Sequence, residues 1–153
     1  MHAATIKLQL ELCARVFEKN VGDVSHEESL AVSEQGGSCL NWVVGHMTRT
    51  RNLALASFNQ KPPYPMQDFD AYDDRGGLEF TRETALPIDE LRRRYKAMQE
   101  PLVRAIEGMP PEVLAGRPPK NMTGDPNETV GSNLVTFVFH EVTTSGKPEC
   151  CGG

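Results

Sequence analysis

The chain has 153 residues, and its 16 lysines and arginines against 21 aspartates and glutamates give a formal net charge of −5. This length is typical of one domain, which we place at residues 1–146, followed by a flexible tail at 147–153. The negative balance gives no general attraction to phosphates, so we expect no nucleic-acid partner. The apolar runs are shorter than the roughly 20 residues of a membrane span, and no basic-then-apolar leader is present. We therefore expect a cytoplasmic protein with no membrane partner.

Four cysteines occur at positions 13, 39, 150 and 151, and they form no Cys-x-x-Cys motif. The last two are adjacent in a glycine-rich tail, where an intramolecular disulfide framework is difficult to build. We therefore expect reduced thiols. Cys13 and Cys39 are expected to be small buried apolar residues, and Cys150 and Cys151 to be exposed.

Two helices are predicted in the first part of the chain. Apolar residues recur three or four positions apart over residues 5–20, with charged residues between them, which indicates an amphipathic helix. A glycine pair then interrupts the pattern, and the Ser38 hydroxyl is suited to cap a second helix over residues 38–58. The apolar residues of this second helix leave Arg49 and Arg51 as candidates for its wetter side.

A long connection over residues 59–86 is rich in proline and glycine, so the most regular structure expected in it is one short helical turn. Helical spacing resumes over residues 87–108, where Pro87 suits the first turn of a helix. Pro101 lies inside this pattern and should kink the helix near Ala97 or break it there. The third predicted helix is therefore interrupted.

A second long loop follows, because Pro110 and Pro111 close the third helix and further prolines continue the irregular segment. Thr129 offers an N-cap for a fourth predicted helix, whose apolar residues again recur at helical spacing. The helical pattern stops beyond Gly146, where a proline, two cysteines and two glycines follow.

Two histidines lie within short motifs of these helices. The second helix contains Asn41-Trp42-Val43-Val44-Gly45-His46-Met47, and the fourth contains Phe139-His140-Glu141. With four helical segments and long crossing loops, these motifs resemble the DinB-like (DinB/YfiT) family over nearly the whole chain. The resemblance implies an all-α four-helix bundle with long loops between helices two and three and between helices three and four. It also implies that His46 and His140 face inward as ligands of a divalent metal, zinc or nickel.

The chain departs from the family pattern after Glu141. In the family the His-Glu pair normally continues to a second histidine four residues after the first, and this spacing places two imidazoles on one helix face. Here Thr144 occupies that place, and a threonine hydroxyl is a weaker ligand for zinc or nickel than imidazole. The expected site is therefore degenerate, with His46 and His140 as two of the three histidines. Glu141 is not expected to be a ligand, because its helix would have to rotate or bend.

A frameshift would explain this departure. Codons from Val142 onward, read from the third base of each, are compatible with Tyr-His-Val-Gly-Gln-Ala-Gly-Val-Leu-Arg-Arg, which resembles the continuation found in the family. We hypothesise a one-nucleotide frameshift after Glu141, which would make the thiol-rich tail an out-of-frame segment. Sequencing the gene in this region tests the hypothesis, because codons that give no such alternative frame would refute it.

The resemblance leaves two classes of function open. One is a metal-dependent thiol transferase or hydrolase that acts with a small-molecule thiol and an unidentified substrate. The alternative is a non-enzymatic, stress-related binding or scaffold bundle without a catalytic metal, which Thr144 favours. Helix-face pairing in the family implies a homodimer. The sequence contains no Walker-type loop, dinucleotide fingerprint, zinc-finger spacing or Ser/His/Asp order, which excludes several common enzyme classes.

Other conspicuous residues have simpler interpretations. His2 and His26 lie in a chain end and a polar loop, where solvated imidazoles without a functional role are expected. Trp42, one turn before His46, is expected to pack as a wall of the site. The three arginines at 92–94 fan around a helix beside acidic residues, which indicates a solvated face.

Overall fold

The computed structural model describes residues 2–32, 34 and 36–145, except for the side chains of residues 142–145. The regular elements of this part of the chain are seven α-helices and one 3-10 helix, without a strand. The α-helices are α1 (Ala3–Val21), α2 (His26–Leu30), α3 (Leu40–Ser57), α4 (Ile88–Ala97), α5 (Gln99–Glu107), α6 (Pro111–Ala115) and α7 (Val130–Ser145), and the 3-10 helix spans Met66–Tyr72. The all-α fold is confirmed. None of the described helices is long and apolar enough to cross a membrane.

One face of the first helix, α1, is buried in the core. Its buried residues follow one another at three- or four-residue spacing, and the helix packs against α5 and α7. They are Ile6, Leu10, Cys13, Phe17 and Val21. Leu8 and Leu12 on the same helix are 64% and 51% exposed. The helix predicted at residues 5–20 is confirmed, and Cys13 and Cys39 are buried as expected.

The helix predicted at residues 38–58 corresponds to α3, with two corrections. Its N-cap is Cys39, which is still extended at φ −71° and ψ 162° and makes no side-chain cap hydrogen bond, so the predicted Ser38 cap is wrong. The prediction that Arg51 faces water is also wrong, because its side chain is fully buried. α3 contacts five other helical elements, which leaves little of its surface for water. Arg49 keeps a partly exposed side chain.

The predicted third helix is divided into α4 and α5. Proline lacks the N–H that a continuous helix would require at position 101, and the chain bends at Met98, between the two helices. The break predicted near Ala97 is therefore confirmed. Pro87 precedes α4 as its N-cap residue and does not lie in the first turn. The expectation of a solvated arginine face at 92–94 is wrong for Arg92 and Arg94, whose side chains are 14% and 12% exposed. Arg92 donates to the carbonyl oxygens of residues 21 and 24, and Arg94 donates to Glu90 and Asp68.

Short helices occupy the connections. The 3-10 helix Met66–Tyr72 is the helical turn expected in the first long connection. The third predicted helix ends before Pro110 and Pro111, as predicted, because α5 ends at Glu107. Pro111 also begins α6, which was not predicted, because a proline at the first helical position loses no hydrogen bond. α2 was not predicted, and it begins after Ser25, whose hydroxyl accepts from the backbone N–H of Glu28. Thr129 caps α7 as predicted, by accepting from the N–H of Ser132. The predicted tail lies outside the described residues.

Two apolar clusters fill the interior. The first joins α1, α5 and α7, and its largest members include Ile6, Leu10, Leu102, Ile106, Leu134 and Phe137. The second joins α3, α4 and the 3-10 helix to the end of α1, and it includes Phe17, Met47, Phe69, Tyr72, Leu91 and Tyr95. Apolar burial on this scale is the main source of stability in a helical domain. α3 also contacts α7, and the candidate site lies on these two helices.

Candidate metal site

His46 lies on α3 with 7% of its surface exposed. Its Nδ1 is 2.8 Å from the carbonyl oxygen of Tyr72, the last residue of the 3-10 helix. A carbonyl oxygen only accepts, so Nδ1 must carry the proton and donate it. In this tautomer the lone pair of the ring lies on Nε2. A metal-binding histidine commonly has this arrangement, in which a second hydrogen bond fixes the tautomer and orientation of the ring.

Gly45 and Asn41 hold the 3-10 helix against α3. A Cβ atom at Gly45 would lie 2.1 Å from two carbon atoms of the Tyr72 ring, so only glycine permits this approach. The Tyr72 hydroxyl donates to Asn41 Oδ1 at 2.9 Å and accepts from the N–H of Leu86 at 2.7 Å. Burial raises the pKa of this hydroxyl to about 12, which keeps it a donor. These contacts place the carbonyl group that orients His46.

Trp42 forms one wall of the site. Its ring stacks on the His46 ring, with the centroids 4.8 Å apart and the planes 8° from parallel. Offset stacking of this kind is favourable for aromatic rings. The packing role expected for Trp42 is confirmed, and the Tyr72 carbonyl and the Trp42 ring together restrict rotation of the His46 imidazole.

The structure brings His46 and His140 together. The ring centroids are 5.2 Å apart, and the ring planes are tilted by 57°. Burial, followed by the neighbouring His46, lowers the pKa of His140, while Glu141 and Asp74 act in the opposite direction. A lowered pKa favours the neutral imidazole, and this is the form that binds metal. The two imidazoles come from different helices and face a shared space.

A third ligand is not found among the described side chains, where no group of three or more His, Cys, Asp or Glu could hold a metal ion. Position 144 lies one helical turn beyond His140 on α7, but its side chain is outside the description. The paired histidines would supply two of the four ligands of a tetrahedral metal site. Water or a substrate atom would have to fill the remaining positions.

Glu141 is excluded as a ligand by its own contacts. Its side chain is fully buried and paired with Arg51, with Nε donating to Oε1 at 2.5 Å and Nη2 to Oε2 at 2.8 Å. The Tyr95 hydroxyl donates to Oε2 at 3.2 Å. Both carboxylate oxygens are therefore engaged by the side chains of Arg51 and Tyr95. The expectation that Glu141 is not a ligand agrees with this geometry.

Arg51 is the centre of a buried polar group that we name the Arg51 cluster, formed by Arg51, Tyr95, Gln99 and Glu141. Arg51 Nη1 donates to Gln99 Oε1 at 2.7 Å, and its guanidinium carbon lies 3.6 Å from the Tyr95 ring centroid. Burial is the largest single influence and would lower the pKa of Arg51, but the charge and hydrogen bonds of Glu141, together with Tyr95 and Cys13, outweigh it and raise the pKa. Burial, and then Glu141, raises the pKa of the neighbouring Cys13 thiol to about 11.

A groove opens beside the histidine pair. It has a volume of about 1060 Å³ and is lined mainly by α3, α7 and the segments around α6. His46 and His140 both line it, whereas no member of the Arg51 cluster does. A molecule in this groove would therefore reach the two imidazoles without entering the core.

The remaining histidines lie elsewhere. His2 is exposed at the start of α1, in agreement with the solvated state expected for it. His26 was expected to be solvated in a loop, but it is the first residue of α2 and is half-buried. Its Nδ1 accepts from the backbone N–H of Ile88 at 3.3 Å, at the first residue of α4. His26 therefore has a structural role that the sequence did not indicate.

Residues 9–143 match the model of the DinB superfamily, and this range includes both histidines and the Arg51 cluster. A comparison with curated proteins finds no match. The matched range covers most of the chain, from the first part of α1 to the last part of α7. The chain therefore belongs to the DinB superfamily.

Proposed function

We propose that His46 and His140 form a degenerate divalent-metal site for zinc or nickel. The main support for the proposal is the distance of 5.2 Å between the centroids of the two imidazole rings, which lie at one end of the groove. Further support comes from the Tyr72 carbonyl, which holds the proton on His46 Nδ1 and leaves Nε2 for a ligand bond. Imidazole is a suitable ligand for zinc, copper, iron and nickel, so the donor set accepts either proposed ion.

The proposed activity is transfer or hydrolysis with a small-molecule thiol. A bound ion would stabilise a thiolate or polarise water for attack. The chain itself contributes orientation, because Trp42 and the Tyr72 carbonyl restrict His46 from two sides. The groove supplies a partly water-excluded surface beside both histidines, on which a substrate could be held.

Metal content is the direct test. The protein should be purified without chelators or metal-affinity resin and analysed by plasma mass spectrometry. We expect bound zinc or nickel that is lost in His46→Ala and in His140→Ala. His2→Ala is the matched control, because it removes an exposed histidine from the start of α1. Equal metal content in all four proteins would contradict the proposal.

Thr144→His tests the degenerate character of the site. Spacing of four residues places position 144 one turn beyond His140, so a histidine there would supply the missing imidazole. We expect the affinity for zinc, measured by competition with a chromophoric chelator, to rise at least about tenfold, since one added ligand bond exceeds about 1.4 kcal/mol. Unchanged affinity would show that the two histidines do not belong to a three-ligand geometry. The frameshift hypothesis predicts that the gene itself encodes a histidine at this place.

A non-enzymatic binding or scaffold function is the second candidate. It is favoured by Thr144 and by the lack of a third ligand among the described side chains. Retention on a thiol resin with and without added zinc separates the two candidates. Metal-dependent retention that disappears in His140→Ala supports the enzyme, whereas retention that does not respond to metal supports the scaffold.

We also propose that the protein is a cytoplasmic homodimer. The resemblance to the DinB-like family supports pairing, and the reduced cysteines expected from the sequence support a reducing compartment. Sedimentation equilibrium should give twice the chain mass of 16.9 kDa. A mass of one chain at micromolar concentration would contradict the dimer.

A further inference from the structure

The groove extends well beyond the histidine pair. Along α7 its lining runs from Val130 to His140, which corresponds to about 15 Å at a rise of about 1.5 Å per residue. Along α3 it runs from His46 to the end of the helix. The segment 116–122, between α6 and α7, lines the groove at the end remote from the histidines. A ligand could therefore span both ends.

The lining of the groove is cationic, although the chain as a whole has a net charge of −5. Among the described residues, five lysines or arginines line it, against one carboxylate, Asp74. The cations are Arg49, Arg75, Arg104, Arg117 and Lys120. A concave surface that carries one sign of charge concentrates ligands of the opposite sign. The groove therefore has the potential expected for an anionic ligand.

Two of these cations stand out by position. Arg49 pairs with Asp73, and Arg104 pairs with Glu100. By contrast, Arg75, Arg117 and Lys120 form no side-chain ion pair within the described residues, and of these three Arg117 and Lys120 lie at the end of the groove remote from the histidines. The Lys120 carbonyl accepts from Asn133 Nδ2 at 2.8 Å, so this segment is attached to the start of α7.

Glu128 is the acidic residue just before α7, and its carboxylate is already engaged. Its two oxygens accept from the backbone N–H groups of Met122 and Thr123 at 2.6 and 3.1 Å. The side chain is buried, with 4% of its surface exposed, and does not line the groove. Backbone hydrogen bonds thus hold Glu128 in the loop and leave Arg117 and Lys120 for other anions.

Between its two ends the groove has an apolar floor. Leu53 and Phe58 contribute from α3 and its C-cap, and Leu134 and Phe137 contribute from α7. The volume of about 1060 Å³ is close to the upper end of the range of about 300–1000 Å³ that is typical of small-molecule sites. These dimensions favour a small organic molecule with an apolar body over a folded partner.

We propose that the groove binds a small organic anion, such as a carboxylate, sulfonate or phosphate, with its acid group at Arg117 and Lys120. Its apolar body lies on the floor formed by α3 and α7, and its other end reaches His46 and His140. This assignment deepens the proposed function, on which it rests, by naming the ligand class and the residues that select it. Binding of the anion itself requires no metal.

A pair of fluorescent probes tests the proposal on the metal-free full chain in the presence of chelator. Anilinonaphthalene sulfonate is an apolar anion, and phenylnaphthylamine has the same ring skeleton without the sulfonate. We expect Arg117→Glu combined with Lys120→Glu to weaken sulfonate binding at least about tenfold and to leave the neutral probe unchanged. High salt should likewise weaken only the sulfonate.

The matched control reverses the same amount of charge outside the groove. Lys19 and Lys61 are exposed and do not line it, so Lys19→Glu with Lys61→Glu should change the binding of both probes little. Equal weakening in the control and test variants would overturn the proposal, because only net charge would then matter. An unchanged sulfonate affinity in the test variant would overturn it as well.

Leu53→Ser is a second, independent test of whether the probes bind in the groove. Leu53 is 38% exposed and lines the groove, so its loss should weaken binding of both probes about equally. Leu12→Ser on α1, which is 51% exposed and outside the groove, is the control. If neither probe responds to Leu53→Ser, the groove is not the site and the proposal fails. Because these titrations use metal-free protein, their failure is distinct from failure of the metal site.

Discussion

Two polar groups connect α3 to α7, and they differ in almost every physical respect. The Arg51 cluster is fully buried at its ion pair, and both oxygens of Glu141 accept hydrogen bonds from within the protein. His46 and His140 are neighbours of this cluster, five residues away on α3 and one residue away on α7. They face the groove, and His46 uses only one ring nitrogen for a protein hydrogen bond.

This contrast separates a structural role from a functional one. A buried charge must be fully paired, because an uncompensated charge in the interior is strongly unfavourable. The Arg51 cluster meets that requirement and has no remaining capacity for a ligand at Glu141. The histidine pair lies at the edge of the core, where both rings line the groove. The Arg51 cluster fixes how α3 and α7 pack against each other. This packing holds His46 on α3 close to His140 on α7.

Removal of Arg51 should give the largest effect. Arg51→Met leaves Glu141 buried without its counter-ion, and we expect the free energy of unfolding to fall by about 3–5 kcal/mol. Urea denaturation at neutral pH measures this change, with the unfolding slope compared to confirm a two-state transition. A loss below about 1 kcal/mol would mean that water or another group compensates Glu141.

Adding Glu141→Leu to Arg51→Met gives the matched control for this comparison. The double variant no longer contains a buried unpaired charge, so it should be more stable than Arg51→Met alone. If the double variant is instead less stable than both single variants, the cluster contributes more through packing than through charge. Zinc binding by the double variant then reports whether the cluster also positions the histidine pair.

The second effect comes from the motif that orients His46. Gly45→Ala places a Cβ at 2.1 Å from the Tyr72 ring, which must move the 3-10 helix. Overpacking typically costs about 1–3 kcal/mol, whereas alanine in a helix gains up to about 1 kcal/mol over glycine. We therefore expect a net loss of stability and weaker zinc binding, because the Tyr72 carbonyl would move away from His46. Gly45→Ala with wild-type zinc affinity would contradict this role of Gly45.

The sequence predicts the regular parts of this fold well, for physical reasons that are local. Apolar spacing indicates α1 and α3, and Pro101 indicates the break between α4 and α5. α2 and α6 have five residues each, and a helix this short shows no periodicity to detect.

The candidate site was accessible from the sequence only in part. His46 and His140 were identified from motifs, but the hydrogen-bond partner of His46 is the backbone carbonyl of Tyr72, a group that every residue type possesses. Gly45 did carry a signal, since a glycine inside a helical pattern often marks a close backbone approach. Burial of Arg51 could not be deduced, because its partner Glu141 is 90 positions away in the chain.

A smaller effect concerns Cys13, which lies beside the Arg51 cluster. Burial, and then the Glu141 charge, raises the pKa of the Cys13 thiol from 9.0 to about 11. Between these values the unfolded chain has lost the thiol proton and the folded chain has kept it, so stability falls as the pH rises. One proton limits this slope to about 1.4 kcal/mol per pH unit. Urea titrations from pH 8 to 11 should show a shallower decline for Cys13→Ala than for wild type. Parallel declines would exclude Cys13 as a source of the alkaline slope.

The smallest expected effect is on the pH dependence of stability, through His140 of the histidine pair. Burial, and then the neighbouring His46, lowers the pKa of His140 below its usual 6.5. In the window just below that value, the unfolded chain binds a proton that the folded chain does not. Stability therefore falls as the pH decreases through the window, and His140→Gln should reduce this slope in metal-free protein. Urea midpoints measured in small pH steps, with chelator present, provide the comparison. Identical slopes in the two proteins would mean that His140 is as easily protonated in the fold as in the unfolded chain, and the neutral-imidazole basis of the site would fail.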